Sequence, residues 1–338
     1  MKTNQFIPPP VQLFQMITGF WASQCLYAAA KLDIADYVTD IPKHVNEIAK
    51  ESGTHPEALY RVMRALASVG VFAEKEQKHF VHTDLSEILK SDLPVSMKYL
   101  VLAELGQEHY RGWGNLVHAV KTGEIAFNET EGESVWQYYS KHPEDGLNFM
   151  KAMTGLSEGF NHAVVPSYDW MKFKKIVDVG GGNGSLLAAI LNTNKDAKGI
   201  LFDEPYVTNK AHEVLSSGNV TDRVEVIGGN FFQSVPEGGD AYILKFILHD
   251  WNDERALTIL KNIHTAMHHH AKLLIVEGVL LSGNEEQLGK LLDINMLVMT
   301  GGMERTEEDY RNLLGKSGFK LLKIHPTPSP MNIIEAVK

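Results

Sequence analysis

Cysteine is almost missing from this chain of 338 residues, which carries only Cys25. A single thiol excludes an internal disulfide framework and fits a reducing compartment, so the cytoplasm is the expected location. Positive charge is in deficit as well: the formal net charge is -10 and no basic patch stands out. General electrostatic attraction therefore draws in neither nucleic acid nor an anionic membrane. Long apolar runs are lacking too. The stretch 14–30 is broken by Gln15, Ser23 and Gln24, short of the roughly 20 clean apolar residues that cross a bilayer. With no basic start and no cleavage site it reads as a buried or intersubunit helix, not a targeting segment. Residues 268–270 are a run of histidines without a nearby acidic ligand pattern. They read as a solvated turn, and no metal is expected.

What is present divides by composition. The length suits two domains, each with its own core. Helical spacing of apolar residues runs through 13–32 and returns near Ile48. Thr54-His55-Pro56-Glu57 then reads as a capping box opening a helix that buries Leu59, Val62, Met63, Leu66 and Val69, with Gly70 as its stop. Two short alternating runs, 71–73 and 79–81, complete a winged-helix pattern. Its presumed recognition helix offers only Arg61 and Arg64, too little for reading DNA. From 95 to about 160 the chain is helical again, and Phe149, Met150 and Met153 sit where side chains serve either core or pocket. After Asp169, β-rich runs at 175–179, 199–202, 224–227, 241–244 and 272–276 alternate with helices. That alternation predicts an α/β domain with a doubly wound parallel sheet, whose ligands lie beyond the carboxyl ends of the strands. The expected division is 1–100, a helical linker 101–165, and 166–338.

The first of these strands ends in Asp178-Val179-Gly180-Gly181-Gly182-Asn183-Gly184. A dinucleotide site wants a sixth-place glycine where this loop has Ser185. The spacing fits a ligand without pyrophosphate, and Asp178 suits one that carries an ammonium group. Asp203, 25 positions after Asp178 at the next strand end, is the candidate for ribose hydroxyls. Asn230 and Phe231, in Gly228-Gly229-Asn230-Phe231-Phe232, can take the amino edge and a face of adenine. Three strand ends thus outline an adenosine.

These motifs, with Asp203-Glu204-Pro205, Lys245-Phe246-Ile247-Leu248-His249-Asp250-Trp251 and Gly301-Gly302-Met303-Glu304-Arg305-Thr306, resemble the plant caffeic acid and acetylserotonin type of O-methyltransferases and their bacterial antibiotic-tailoring relatives. The resemblance implies a Rossmann-like catalytic domain preceded by a winged-helix dimerisation domain, a homodimer, and S-adenosylmethionine as cofactor. It implies cofactor contacts for Gly180, Gly182, Asp203, Glu204, Phe231 and Lys245, with Ser157 near the methionyl end. Asn230 departs from the family, which usually has aspartate there; the amide forfeits the charge, so weaker adenine binding is expected.

Methyl transfer from a sulfonium to a phenol needs a base, because a neutral phenol of pKa near 10 is a poor nucleophile. His249 sits at the fourth strand end, and Glu277 closes the fifth, from which it can approach the imidazole. Glu304 matches the second carboxylate that the family places beside its histidine. The expected catalytic group is a His249 base oriented by Glu277 and Glu304. By resemblance Phe149, Met153, Asn295, Met296 and Met299 line an apolar pocket for a small aromatic hydroxyl compound. A second reading keeps fold and cofactor but puts the sulfonium to pericyclic, hydroxylating or decarboxylating use.

Overall fold

The computed structural model describes residues 7–93, 95–208 and 211–338. The chain forms two units, Met1–Tyr110 with Tyr139–Gly155, and Arg111–Tyr138 with Leu156–Lys338. The stretch expected to be one linker is therefore shared between them.

In the first unit, helix α1 (Pro9–Lys31) leaves Leu13, Phe14, Met16, Ile17, Phe20 and Trp21 exposed and buries Ala29 and Ala30 near its end. Strand β1 (Lys43–His44), helices α2 (Val45–Ser52) and α3 (Pro56–Ser68), and strands β2 (Phe72–Glu74) and β3 (His79–His82) follow. The three strands pair in the order β1-β3-β2, completing the winged-helix arrangement. Ile34, Ile48, Leu59, Met63, Leu66, Phe72 and Phe80 form the core. The start of α3 differs from the capping box expected at Thr54. Pro56 takes the first helical position and His55 becomes the cap, its ring accepting from the Ala58 amide at 3.4 Å, because proline's fixed φ and missing N–H favour that place. Val69, expected in the core, lies past the helix end and is 54% exposed.

The second unit is built on seven strands: β4 (Lys175–Val179), β5 (Lys198–Asp203), β6 (Val224–Gly228), β7 (Ala241–Lys245), β8 (Lys272–Gly278), β9 (Lys320–Pro326) and β10 (Met331–Val337). Their order is β6-β5-β4-β7-β8-β10-β9. The five strands read from the sequence are parallel, and β10 and β9 add an antiparallel edge. Strand β7 is buried along its whole length and β4 nearly so, as expected of strands covered on both faces. Helices α4 (Ser185–Thr193), α5 (Asp253–Ala266), α6 (Leu288–Met299) and α7 (Glu307–Lys316) complete the parts that matter below. Strand order reverses between β4 and β7, the place where such sheets leave a crevice. Asp178, Asp203, Gly228, Lys245 and Glu277 all stand at or next to the carboxyl ends of their strands.

Candidate active site

The turn after β4 is open for a ligand. Gly180 has φ +70, and a Cβ there would stand 2.4 Å from Ile247 Cδ1 and 3.6 Å from Phe231, so only glycine leaves the approach clear. The Gly182 amide donates to Asp203 Oδ2 at 2.8 Å while Asp203 Oδ1 accepts from the Glu204 amide at 2.7 Å, which ties the two strand-end loops together. Asp178 is 2% exposed, and its Oδ2 has no hydrogen-bond donor among the described residues. Burial raises its pKa to about 7, against the pull of Lys245 and with a push from Asp203. A deeply buried carboxylate oxygen without a donor is costly unless a ligand supplies one. Lys245 donates to Ser157 O at 3.0 Å, Ser157 Oγ at 2.5 Å and Asn161 Oδ1 at 2.5 Å. Burial lowers its pKa to about 8, with Asp178 and Glu158 resisting. Asn161 in turn donates to Ser185 at the start of α4. Asn230 accepts the Phe232 amide at 2.8 Å and so shapes its own turn, and Phe231 packs edge-on against Phe232 and Trp251.

The turn after β7 is closed. It opens with Phe246 at φ 55, a conformation that a non-glycine residue holds only when its surroundings impose it. Glu277 is fully buried, and its Oε1 accepts the amides of Ile247 at 3.0 Å, Leu248 at 2.6 Å and His249 at 3.2 Å. On the carbonyl side Arg305, also fully buried, donates to Leu248 O at 2.9 Å and Trp251 O at 3.0 Å and pairs with Asp253. The Met303 amide takes the His249 carbonyl at 2.9 Å. A Cβ on Gly302 would lie 1.9 Å from that same carbonyl oxygen, so only hydrogen fits there.

Held this way, His249 presents Nδ1 to Glu304 Oε1 at 2.7 Å, and its Nε2 stands 3.7 Å from Asp250 Oδ1. Burial pulls the imidazole down, but Asp250, the Glu304 hydrogen bond and the charge of Glu277 outweigh it and raise the pKa to about 9. Asp250 is pushed up to about 6, by burial first, with His249 opposing. Asp250 and Trp251 also line a cleft of about 760 Å³, shared with Arg255, Met299, Thr300 and Gly301.

A model of the O-methyltransferase domain matches residues 113–320, and one of the O-methyltransferase dimerisation domain matches residues 14–92. The chain belongs to the O-methyltransferase family. It is 46% identical to the phenazine O-methyltransferase PhzM of Lysobacter antibioticus over 98% of this chain and 96% of that protein. The solved structure of LaPhzM superposes with a TM-score of 0.92 at 46% identity, covering 98% of this chain and 99% of that one. An O-methyltransferase from neocarzinostatin biosynthesis (NcsB1), solved with S-adenosylmethionine and 2-hydroxy-5-methyl naphthoic acid, superposes with a TM-score of 0.80 at 28% identity, covering 93% and 95%. The cofactor of this methyltransferase is S-adenosylmethionine, and the chain forms a homodimer through its dimerisation domain. Among the described residues no helix is long and apolar enough to cross a membrane, and no cluster of His, Cys, Asp or Glu is arranged to hold a metal ion.

In this methyltransferase the expected residues fall into separate groups. Asp178, Gly180, Gly182, Asp203 and Glu204 meet around the first turn, and Lys245 and Ser157 meet each other. Glu304 reaches the imidazole. Glu277 departs from expectation: its oxygens are taken by three backbone amides and the Tyr310 hydroxyl, so it fixes the turn and acts on the ring only through its charge. Asn295, buried on α6, accepts from Trp113 Nε1 at 2.8 Å, and Met296 and Met299 are buried beside it. Phe149 and Met153 lie in the other unit, where Phe149 stacks on Tyr139 with ring centroids 4.8 Å apart. Sequence reasoning missed Asn161, Arg305 and Tyr310 as members of this machinery. The arginine that follows Gly-Gly-Met-Glu was the one available signal.

Proposed function

We propose that this methyltransferase moves the methyl group of S-adenosylmethionine to a hydroxyl on a planar aromatic metabolite, with His249 as general base. The observation that carries this reading is the 2.7 Å bond between His249 Nδ1 and Glu304. A proton on Nδ1 donated to that carboxylate leaves the Nε2 lone pair as the only basic position of the ring. When bound, the cofactor supplies an electrophilic methyl. Nε2 takes the acceptor's hydroxyl proton as its oxygen attacks, and the surrounding carboxylates favour the imidazolium that results. Asp178 holds the ammonium, Asp203 and Glu204 take the ribose, and Asn230 with Phe231 the adenine, while Gly180 and Gly182 give the backbone its approach. Lys245 and Ser157 fix the wall near the methionyl end. Met296, Met299 and Asn295 of α6 suit a flat ring with few polar anchors, and Phe149 and Met153 are substrate contacts on the family resemblance. Fused tricyclic hydroxyphenazines head the acceptors to try, given the 46% identity to a phenazine O-methyltransferase. The cytoplasm is the proposed location.

Incubation with methyl-labelled cofactor and a panel of phenols, naphthols and hydroxyphenazines tests the reading. Label recovered on an acceptor oxygen is the expected result. Tight cofactor binding without label transfer to any acceptor would instead favour a repurposed sulfonium site.

A further inference from the structure

We propose that Tyr310 is a positioning residue for the methyl transfer, anchoring the Glu277 carboxylate against the His249 turn and thereby setting the place of His249 and the charge it faces. The inference rests on His249 being the base. Its grounds are geometric. Tyr310 is fully buried on α7, and its hydroxyl donates to Glu277 Oε2 at 2.5 Å. Its ring belongs to an apolar cluster with Leu313, Leu314, Ile275 and Ile334, where phenylalanine would pack as well. The hydroxyl is therefore an exception that packing does not demand. It completes a set of four donors on one carboxylate, three on Oε1 and one on Oε2. Such a set fixes the carboxylate in one orientation, and with it the three amides of the His249 turn.

Helix α7 opens with a capping box between Thr306 and Asp309, directly after Glu304 and Arg305. The segment that delivers Glu304 to the imidazole thus delivers Tyr310 to the carboxylate behind it. The charged groups facing His249 are Asp250 on its own turn, Glu304 on the loop after α6, and Glu277 on β8. Arg305 beside Glu304 is paired with Asp253, and Asp293 of α6 accepts the Glu304 amide. Among the described residues, Glu277 is the one of the three carboxylates facing His249 that receives a hydrogen bond from a side chain other than the imidazole, the Tyr310 hydroxyl. Without it, Glu277 keeps an unsatisfied oxygen in an apolar site and is free to turn away from the amides it holds, carrying its charge away from the imidazole.

The test is the pH dependence of kcat/KM in the full-length enzyme with saturating cofactor and an accepted phenol. Tyr310→Phe is expected to lower kcat about tenfold and to move the rising limb to lower pH by about half a unit, with KM for the cofactor within about twofold. Glu277→Gln should shift the limb further in the same direction, and Tyr310→Phe should add nothing in the double variant. An unmoved limb in Tyr310→Phe, or shifts that add in the double variant, overturns the proposal; should Tyr310→Phe not fold, an unmoved limb in Glu277→Gln does so. His249→Ala measured alongside separates the two readings: a limb that survives it places the base elsewhere, whereas a limb lost with His249 but indifferent to Tyr310 overturns the role of Tyr310 alone.

Discussion

The two turns that meet at the switch in strand order are built in opposite ways. The one after β4 leaves polar valence open: Asp178 Oδ2 is buried without a donor. The one after β7 spends nearly every polar group on itself, with Glu277, Arg305 and the Met303 amide taking its amides and carbonyls and leaving His249 Nε2 beside Asp250. A turn that must receive a charged ligand keeps an unsatisfied group for it, at a cost of about 1–3 kcal/mol that binding recovers. A turn that must aim one nitrogen is instead over-determined, because a misplaced base loses rate steeply. On the proposed roles binding and chemistry are separable, and substitutions on the two sides should fail differently.

The sharpest test removes the imidazole. His249→Ala is expected to lower turnover by at least about a hundredfold while cofactor affinity, read by calorimetry, stays within about twofold. Equal losses in both would erase the distinction between the turns. Glu304→Gln should cost about tenfold in kcat and move the rising limb of kcat/KM to lower pH. The sign follows from the raised pKa of about 9: the base works only when neutral, so the rate climbs with pH through that region, and deleting a charge that holds the proton lets it leave earlier. On the other side, Asp178→Asn should weaken cofactor binding about tenfold and leave kcat at saturation within about threefold. The smallest effect is expected at Asn230→Asp. There the added charge should tighten cofactor binding by a few-fold at most, since Asn230 Oδ1 already serves the Phe232 amide.

Much of this was legible in the sequence because a parallel sheet puts its chemistry at the strand ends, and strand ends announce themselves. Asp178, Asp203 and His249 each follow a buried apolar run and precede a break, so their places were fixed by local pattern. The winged-helix unit was readable for the same reason, although Pro56 displaced the cap that Thr54 had suggested. Strands β9 and β10 escaped notice: β9 is an edge strand whose exposed lysines blur the apolar run. Long-range partners escaped too. Lys245 meets Asn161 across 84 positions, and Arg305 meets Leu248 across 57, and no local periodicity encodes such pairs. Glu277 hid its bonds to the backbone on the same account. Its adjacency to the His249 turn follows from strand order, but whether it serves the ring or the backbone depends on how closely the turn folds over it.

Gly302 carries an implication for how this chain tolerates change. Glycines at positive φ, such as Gly182 at +60, are constrained by conformation, and asparagine can often stand in for them. At 302 the obstacle is the neighbouring carbonyl of the base-bearing turn itself, and every side chain begins with the carbon that collides with it. A saturation library selected for activity should therefore recover asparagine or aspartate at 182 but return glycine alone at 302, making that codon the least forgiving in the catalytic half of the gene.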